Sequence, residues 1–115
     1  MLSKLYRLTA EKDFARIFSK GRAFQGRGLT VKAVRNGLEG TRVGFVVSTK
    51  VSKRAVVRNR IKRRMREIVR KRVAKLLGGV DIVFLAKTEA ITMAFTEIER
   101  SIDDVLGRSG LYKKP

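Results

Sequence analysis

The stretch from Lys53 to Lys75, KRAVVRNRIKRRMREIVRKRVAK, constrains this chain more than any other. It holds 12 of the 28 Lys and Arg residues and a single acid, Glu67. Wound at about 100° per residue, it sorts into two faces. Val57, Ile61, Met65, Ile68, Val69 and Leu76 fall on one side. Asn59, Arg60, Arg63, Arg66, Arg70 and Lys71 fall on the other. The spacing predicts an amphipathic helix whose apolar stripe must cover a core and whose polar face is almost wholly positive. Like charges at i,i+3 and i,i+4 destabilise an isolated helix, and the Glu–Lys pairs that exposed helices use are missing. A polyanion lying against that face would offset the cost.

The rest of the chain supplies what the helix can cover. Thr9 suits an N-cap, Glu11 and Asp13 suit a first turn, and Phe14, Ile17 and Phe18 recur at helical spacing, so a short helix is expected over 10–20, ended by Gly21. Residues 27–35 alternate: Leu29, Val31 and Ala33 share one face, Thr30, Lys32 and Val34 the other. That is strand spacing, and Asn36-Gly37 is a turn signal after it. A second strand is expected over 42–48, antiparallel to the first. Gly78-Gly79 suit the end of the basic helix. The apolar run 80–86 reads as a strand covered on both faces. Ile91, Phe95, Ile98, Ile102 and Val105 predict a last helix over 89–106, with 111–115 a frayed tail. The order is α-β-β-α-β-α, with room for one more short strand around 22–27.

Composition narrows the function classes. At 115 residues the chain is one domain, 1–115, with 43% hydrophobic residues and six Phe, enough for a core. The net charge is +18, with 23 bases and 4 acids before residue 81 and 5 bases and 6 acids from residue 81 onward. Repulsion of that size destabilises a compact monomer and calls for an anionic partner, nucleic acid before membrane surface. No 18-residue apolar run exists to span a membrane, and the N-terminus lacks the features of a signal peptide. Zero Cys fits a cytoplasmic protein, and zero His removes the usual general base and commonest metal ligand. The acids are dispersed. Asp103 and Asp104 point about 100° apart on a helix, so no carboxylates converge for two-metal chemistry. No catalytic residue is expected in the protein.

Lys53 to Arg63, KRAVVRNRIKR, resembles the Arg-Asn-Arg signature of the bacterial ribonuclease P protein subunit. Phe14-x-x-x-Phe18, RVGFVVS over 42–48 and Asp81-Ile-Val-Phe84 look like that family's other blocks, in order, so the resemblance covers roughly residues 5–112. It implies an α+β two-layer sandwich, α-β-β-β-α-β-α, like the second domain of ribosomal protein S5, with a left-handed β-α-β crossover. It also implies a protein cofactor of an endoribonuclease whose chemistry is carried by RNA and Mg²⁺, the metal being held mainly by RNA. The partners would be the ribonuclease P RNA subunit and precursor tRNA, with no protein partner required. Arg54, Arg58, Asn59, Arg60, Lys62, Arg63 and Arg66 would contact the catalytic RNA. Phe14, Phe18, Lys32, Ser48 and Lys50 would line a cleft for the 5′ leader. Lys32 stands where the family often has an aromatic, which implies a phosphate held rather than a base stacked.

Each motif has a plainer reading. Two Phe at i,i+4 suit a core as well as a binding platform, and single-stranded nucleic acid stacks on aromatics in basic grooves. Asn59 suits a surface as well as a hydrogen bond to a base edge or a 2′-hydroxyl. A ribosomal or general RNA-scaffolding protein would share the charge. A peripheral membrane protein could use a basic amphipathic helix, but its apolar face would then have to be free to insert.

Overall fold

The structure, a computed structural model, describes residues 7–113. Its elements follow the chain as α1 (Glu11–Lys20), β1 (Arg22–Gly26), β2 (Leu29–Arg35), β3 (Arg42–Val46), α2 (Ala55–Arg70), β4 (Val80–Ala86) and α3 (Phe95–Arg108), with short 3₁₀ turns at Val73–Lys75 and Thr88–Ile91. The four strands form one mixed sheet in the order β1-β2-β4-β3. β1 and β2 make a hairpin, with Phe24 opposite Val31, closed by Arg27-Gly28. Gly28 has φ of 77°, a left-handed conformation that favours glycine, and a Cβ there would also press on the Met93 thioether.

The alternation in β2 sets the layers. Leu29, Val31 and Ala33, with Val43, Phe45, Ile82 and Phe84 on the same face, pack against Ile61, Met65 and Ile68 of α2 and Ile98, Ile102 and Val105 of α3. Each fully buried side chain of this size contributes about 1.5–3 kcal/mol. The opposite face carries α1, whose Ile17 packs on Val83 beside Leu8. The sheet and the α2–α3 pair form the expected two layers of an α+β domain, and α1 covers part of the remaining face.

Several expectations are corrected. β3 does run opposite to β2, but the two do not pair. β4 lies between them, antiparallel to β2 and parallel to β3, with α2 as the crossover. Asn36-Gly37 therefore opens a loop across the end of β4 rather than a tight hairpin. The Asn36 amide donates to Gly40 O (3.0 Å) and to Asp81 Oδ1 (2.9 Å). The N-cap of α1 is Ala10, not Thr9, with no side-chain cap. The α2 helix stops at Arg70, well before Gly78-Gly79. Arg72 turns its guanidinium back onto Ile68 O (2.8 Å) and outward to Asp103 and Glu99, which takes the chain off the helix. The last helix begins at Phe95 rather than 89, where the Glu97 carboxylate accepts the Ala94 N–H at 2.9 Å.

The C-terminal segment is the largest departure. Residues 111–113, expected to fray, are strapped to the 3₁₀ turn. Leu111 is buried, Leu77 N–H donates to Leu111 O (2.7 Å) and Lys113 N–H donates to Lys75 O (2.8 Å). The Tyr112 hydroxyl donates to Asp103 Oδ1 at 2.6 Å. Apolar burial of Leu111 and the half-buried, hydrogen-bonded phenol of Tyr112 outweigh the polar character of the last residues. Residues 114–115 of that expectation lie outside the described residues.

Candidate nucleic-acid interface

The cations of α2 divide into three stripes, because residues four apart align on a helix. Asn59 and Arg63 point outward and are exposed. Arg70 shares that stripe, but its guanidinium lies 2.6 Å from Glu67, which holds the Glu67 carboxyl below its usual range. On one flank, Arg60 and Arg64 lean toward the 88–93 segment. Their guanidiniums approach Ile91 O (3.5 Å) and Met93 O (3.4 Å). On the other flank, Arg58 donates to Ser52 O at 2.9 Å, and Lys62 and Arg66 turn toward the β3 edge. Arg54 is exposed at the N-cap position, with no side-chain cap and no acid in the first turn of α2. Among the described residues, none of Arg54, Arg58, Arg60, Lys62, Arg63 and Arg66 forms an ion pair with an acid. Helix N-termini carry partial positive charge, so the start of α2 is doubly positive.

Lys62 and Arg66 meet α1 across a cavity of about 320 Å³, lined also by Arg7, Phe14 and the β3 residues Val43 to Phe45. The Arg66 guanidinium sits 6.0 Å from the centroid of Phe45, which stacks on Phe84. Phe14 rests on Gly44. A Cβ at Gly44 would come within 2.7 Å of the ring, so the glycine is what admits it. Next along α1, Phe18 is 42% exposed, its ring centroid 6.5 Å from that of Phe14. Lys32 Nζ lies 5.6 Å from the Phe18 centroid and 3.4 Å from Phe18 O.

The structure thus brings Phe14, Phe18 and Lys32 together on the face of the sheet that α1 partly covers. It also separates the two rings: Phe14 is half-buried packing with one side on a cavity, and Phe18 is an open aromatic surface. Ser48 and Lys50 are exposed in the turn between β3 and α2, where Val51 N–H donates to Ser48 O at 3.0 Å. Sequence reasoning put Lys62 and Arg66 with Arg63; they belong instead to the flank beside Phe14. It also passed over Arg7, whose place follows from a backbone bridge between Arg7 and Val43 that no periodicity signals. Arg64, unremarked as an individual residue, joins Arg60 at i,i+4.

The acids are engaged elsewhere. Asp103 takes Arg72 (2.6 and 2.9 Å) and Tyr112, and Asp104 takes Arg108 at 2.9 Å. Among the described residues no three potential ligand side chains converge on a metal position, and no helix is long and apolar enough to cross a membrane. The apolar stripe of α2 is committed to the sheet, which removes the insertion surface a membrane-lying helix needs.

Residues 2–110 match the Ribonuclease P family model. The chain belongs to the ribonuclease P protein family. It is 42% identical over 108 residues to the ribonuclease P protein component of Dehalococcoides mccartyi, covering 94% of this chain and 88% of that one. Identity to the Streptococcus pneumoniae component is 36% over 113 residues, covering 98% and 91%. Among solved structures, the Staphylococcus aureus RNase P protein superposes with a TM-score of 0.85 at 32% identity, covering 94% of this chain and 98% of that one. The Thermotoga maritima RNase P protein gives 0.79 at 30%, covering 89% and 96%. Membership in the ribonuclease P family makes the chain a protein component of an endoribonuclease of tRNA processing, and the mixed sheet with three helices is that family's fold.

Proposed function

We propose that this chain is the RNA-binding cofactor of ribonuclease P, docking on the catalytic RNA subunit through α2 and guiding the 5′ leader of precursor tRNA along the cleft between α1 and the sheet, so promoting 5′ maturation. The observation that carries the reading is the set of α2 cations with no acid partner among the described residues: Arg54 at an uncapped helix N-terminus, Arg63 beside Asn59 on the outward stripe, and Arg58, Arg60, Lys62 and Arg66 on the flanks. Cations left without acid partners in a chain this basic are suited to phosphates. Arginine adds bidentate geometry and stacking on exposed bases, as folded RNA offers. Arg58 and Arg60 stand beside the stripe and can swing from carbonyl acceptors to phosphates. Lys62 and Arg66 face both surfaces, which suits residues that hold RNA subunit and leader close together.

In the cleft, Phe18 offers a stacking face with Lys32 above it for a phosphate, an arrangement favoured for single strands. Phe14, Ser48 and Lys50 extend the track. The described side chains do not fit a protein-held Mg²⁺: no three candidate ligands converge, and the acids that come together, Asp13 with Asp81 and Glu99 with Asp103, are filled by arginines. A metal serving the reaction would take its ligands mainly from RNA. The partners of this reading are the RNA subunit and precursor tRNA, with no protein partner needed, in the cytoplasm.

The test is reconstitution with the matching RNA subunit at low Mg²⁺. Cleavage of precursor tRNA is expected to rise with the protein present, and Phe18→Ala is expected to reduce the preference for leader-bearing over mature tRNA. Equal cleavage with and without the protein would refute the proposal. Recovery of ribosomal RNA instead of one compact RNA with precursor tRNAs would favour a scaffolding role.

A further inference from the structure

The first helix stands on the sheet by little apolar surface. Ile17 is its one fully buried residue, in a small cluster with Leu8 and Val83 against which the partly buried Phe14, Val34, Val46 and Leu85 pack. Ten residues of helix are marginal alone, and apolar contact is non-directional. A patch of that size holds α1 down without fixing its rotation or its travel along the strands. The polar cluster at its edge has direction. Asp81 of β4 is fully buried, and its two oxygens accept four hydrogen bonds: from Arg16 Nη2 (2.6 Å), Asn36 Nδ2 (2.9 Å), and Arg42 Nε and Nη2 (2.9 and 2.8 Å). Asp13 of α1 closes the cluster, 3.4 Å from Arg42 and 3.6 Å from Arg16.

Helix, loop, edge strand and central strand therefore meet at one carboxylate. A buried ion pair adds little net stability over apolar packing of the same shape. Its hydrogen bonds do set angles and distances. Arg16 sits on α1 between Phe14 and Phe18, so whatever fixes Arg16 fixes where both rings stand. The chain has only 10 acids for 28 bases, and two of them are placed here, away from the docking face.

We infer that Asp81 is a positioning residue for the substrate cleft: through Arg16 it sets the placement of α1, and with it the two aromatic rings that the leader meets. This rests on the cleft reading above, and the experiment separates the two. Particles are reconstituted with Arg16→Met, which keeps the stem and removes the donors, with Arg16→Lys, with Asp81→Asn and with Phe18→Ala. Affinity for leader-bearing precursor, for mature tRNA and for the RNA subunit is measured for each, alongside a urea midpoint. Arg16→Met and Asp81→Asn are expected to lower the precursor-to-mature affinity ratio about fivefold, the weakening of one stacked base, at unchanged affinity for the RNA subunit. Arg16→Lys restores part of the ratio.

An unchanged ratio in folded Arg16→Met overturns the inference, as does an equal loss of RNA-subunit affinity. If Asp81→Asn does not fold, the two Arg16 variants carry the test, since that side chain is only partly buried, 32% exposed against none for Asp81. A Phe18→Ala particle with an unchanged ratio would sink the cleft reading. A loss in Phe18→Ala but none in Arg16→Met would sink only the positioning role.

Discussion

Arg63 and Arg70 lie two turns apart on the same stripe of α2, yet their loss should change the salt dependence by different amounts. Arg63 is exposed with no acid partner among the described residues, whereas Arg70 grips Glu67 with Nη2 at 2.6 Å and Nε at 3.3 Å. A free guanidinium that meets a phosphate releases a condensed counterion from the RNA. A neutral pair releases little. Each phosphate neutralised adds about 0.7–0.9 to the slope of log affinity against log salt. Arg63→Ala is expected to remove one such increment. Over a fourfold rise in salt, from about 50 to 200 mM, the disadvantage of the variant then shrinks about threefold. Arg70→Ala should change the slope by less than half as much. Glu67→Gln should steepen it by up to one increment and raise affinity at low salt, because it frees Arg70. Fluorescence anisotropy with labelled RNA subunit across a salt series reads all three. Equal slope changes for the two arginines, or none for Glu67→Gln, would refute the division of the helix into paired and unpaired cations.

Two other perturbations test the packing beneath the interface. Gly44→Ala brings a Cβ within 2.7 and 2.8 Å of the Phe14 ring. Overpacking of about 1–3 kcal/mol outweighs the gain of about 0.4–1 kcal/mol from a stiffer unfolded chain, so urea denaturation should show net destabilisation that vanishes when Phe14→Ala is added. The C-terminal strap should titrate. Burial pushes the Tyr112 phenol up, and its hydrogen bond to Asp103 adds to the rise, while Arg72 holds the Asp103 carboxyl below its usual range. The raised phenol contributes stability that is present below its ordinary value of about 10 and lost as pH climbs above it. The depressed carboxyl contributes stability that is present above about 3.9 and lost as pH falls. Absorbance titration should find a tyrosine ionising well above pH 10, and Asp103→Ala should lower it only part of the way, leaving the rise that burial causes, and flatten the acid limb.

Much of this was legible because it follows period and charge. The basic helix, the alternating β2, the doubly covered β4 and the apolar stripe of α3 each follow from local spacing, and the structure places them within a few residues of expectation, apart from the early end of the basic helix at Arg70 and the later start of α3. What was not legible depends on partners distant in sequence. Nothing in Arg72 announces that Glu99 and Asp103 will draw it off the helix axis, and the glycines beyond it made a better local stop. The pairing of β3 was misread because Asn36-Gly37 is a strong short-range signal, whereas insertion of β4 is a choice made 40 residues on. In the candidate site, the Arg-Asn-Arg motif marks α2 as the cationic helix, but a helical wheel cannot say which flank faces α1. That required Gly44, whose missing side chain lets Phe14 approach, and so decided that Lys62 and Arg66 border the cleft.

The central place of β4 has a consequence for synthesis. Neither β2 nor β3 has its inner neighbour until the ribosome has released residues past 80, and by then a segment with 23 bases and 4 acids has already emerged. A chain made at about 5–20 residues per second thus spends seconds as an open polycation beside ribosomal and messenger RNA before its sheet can close. Whatever shields that nascent segment helps decide how much of the protein reaches its working partner.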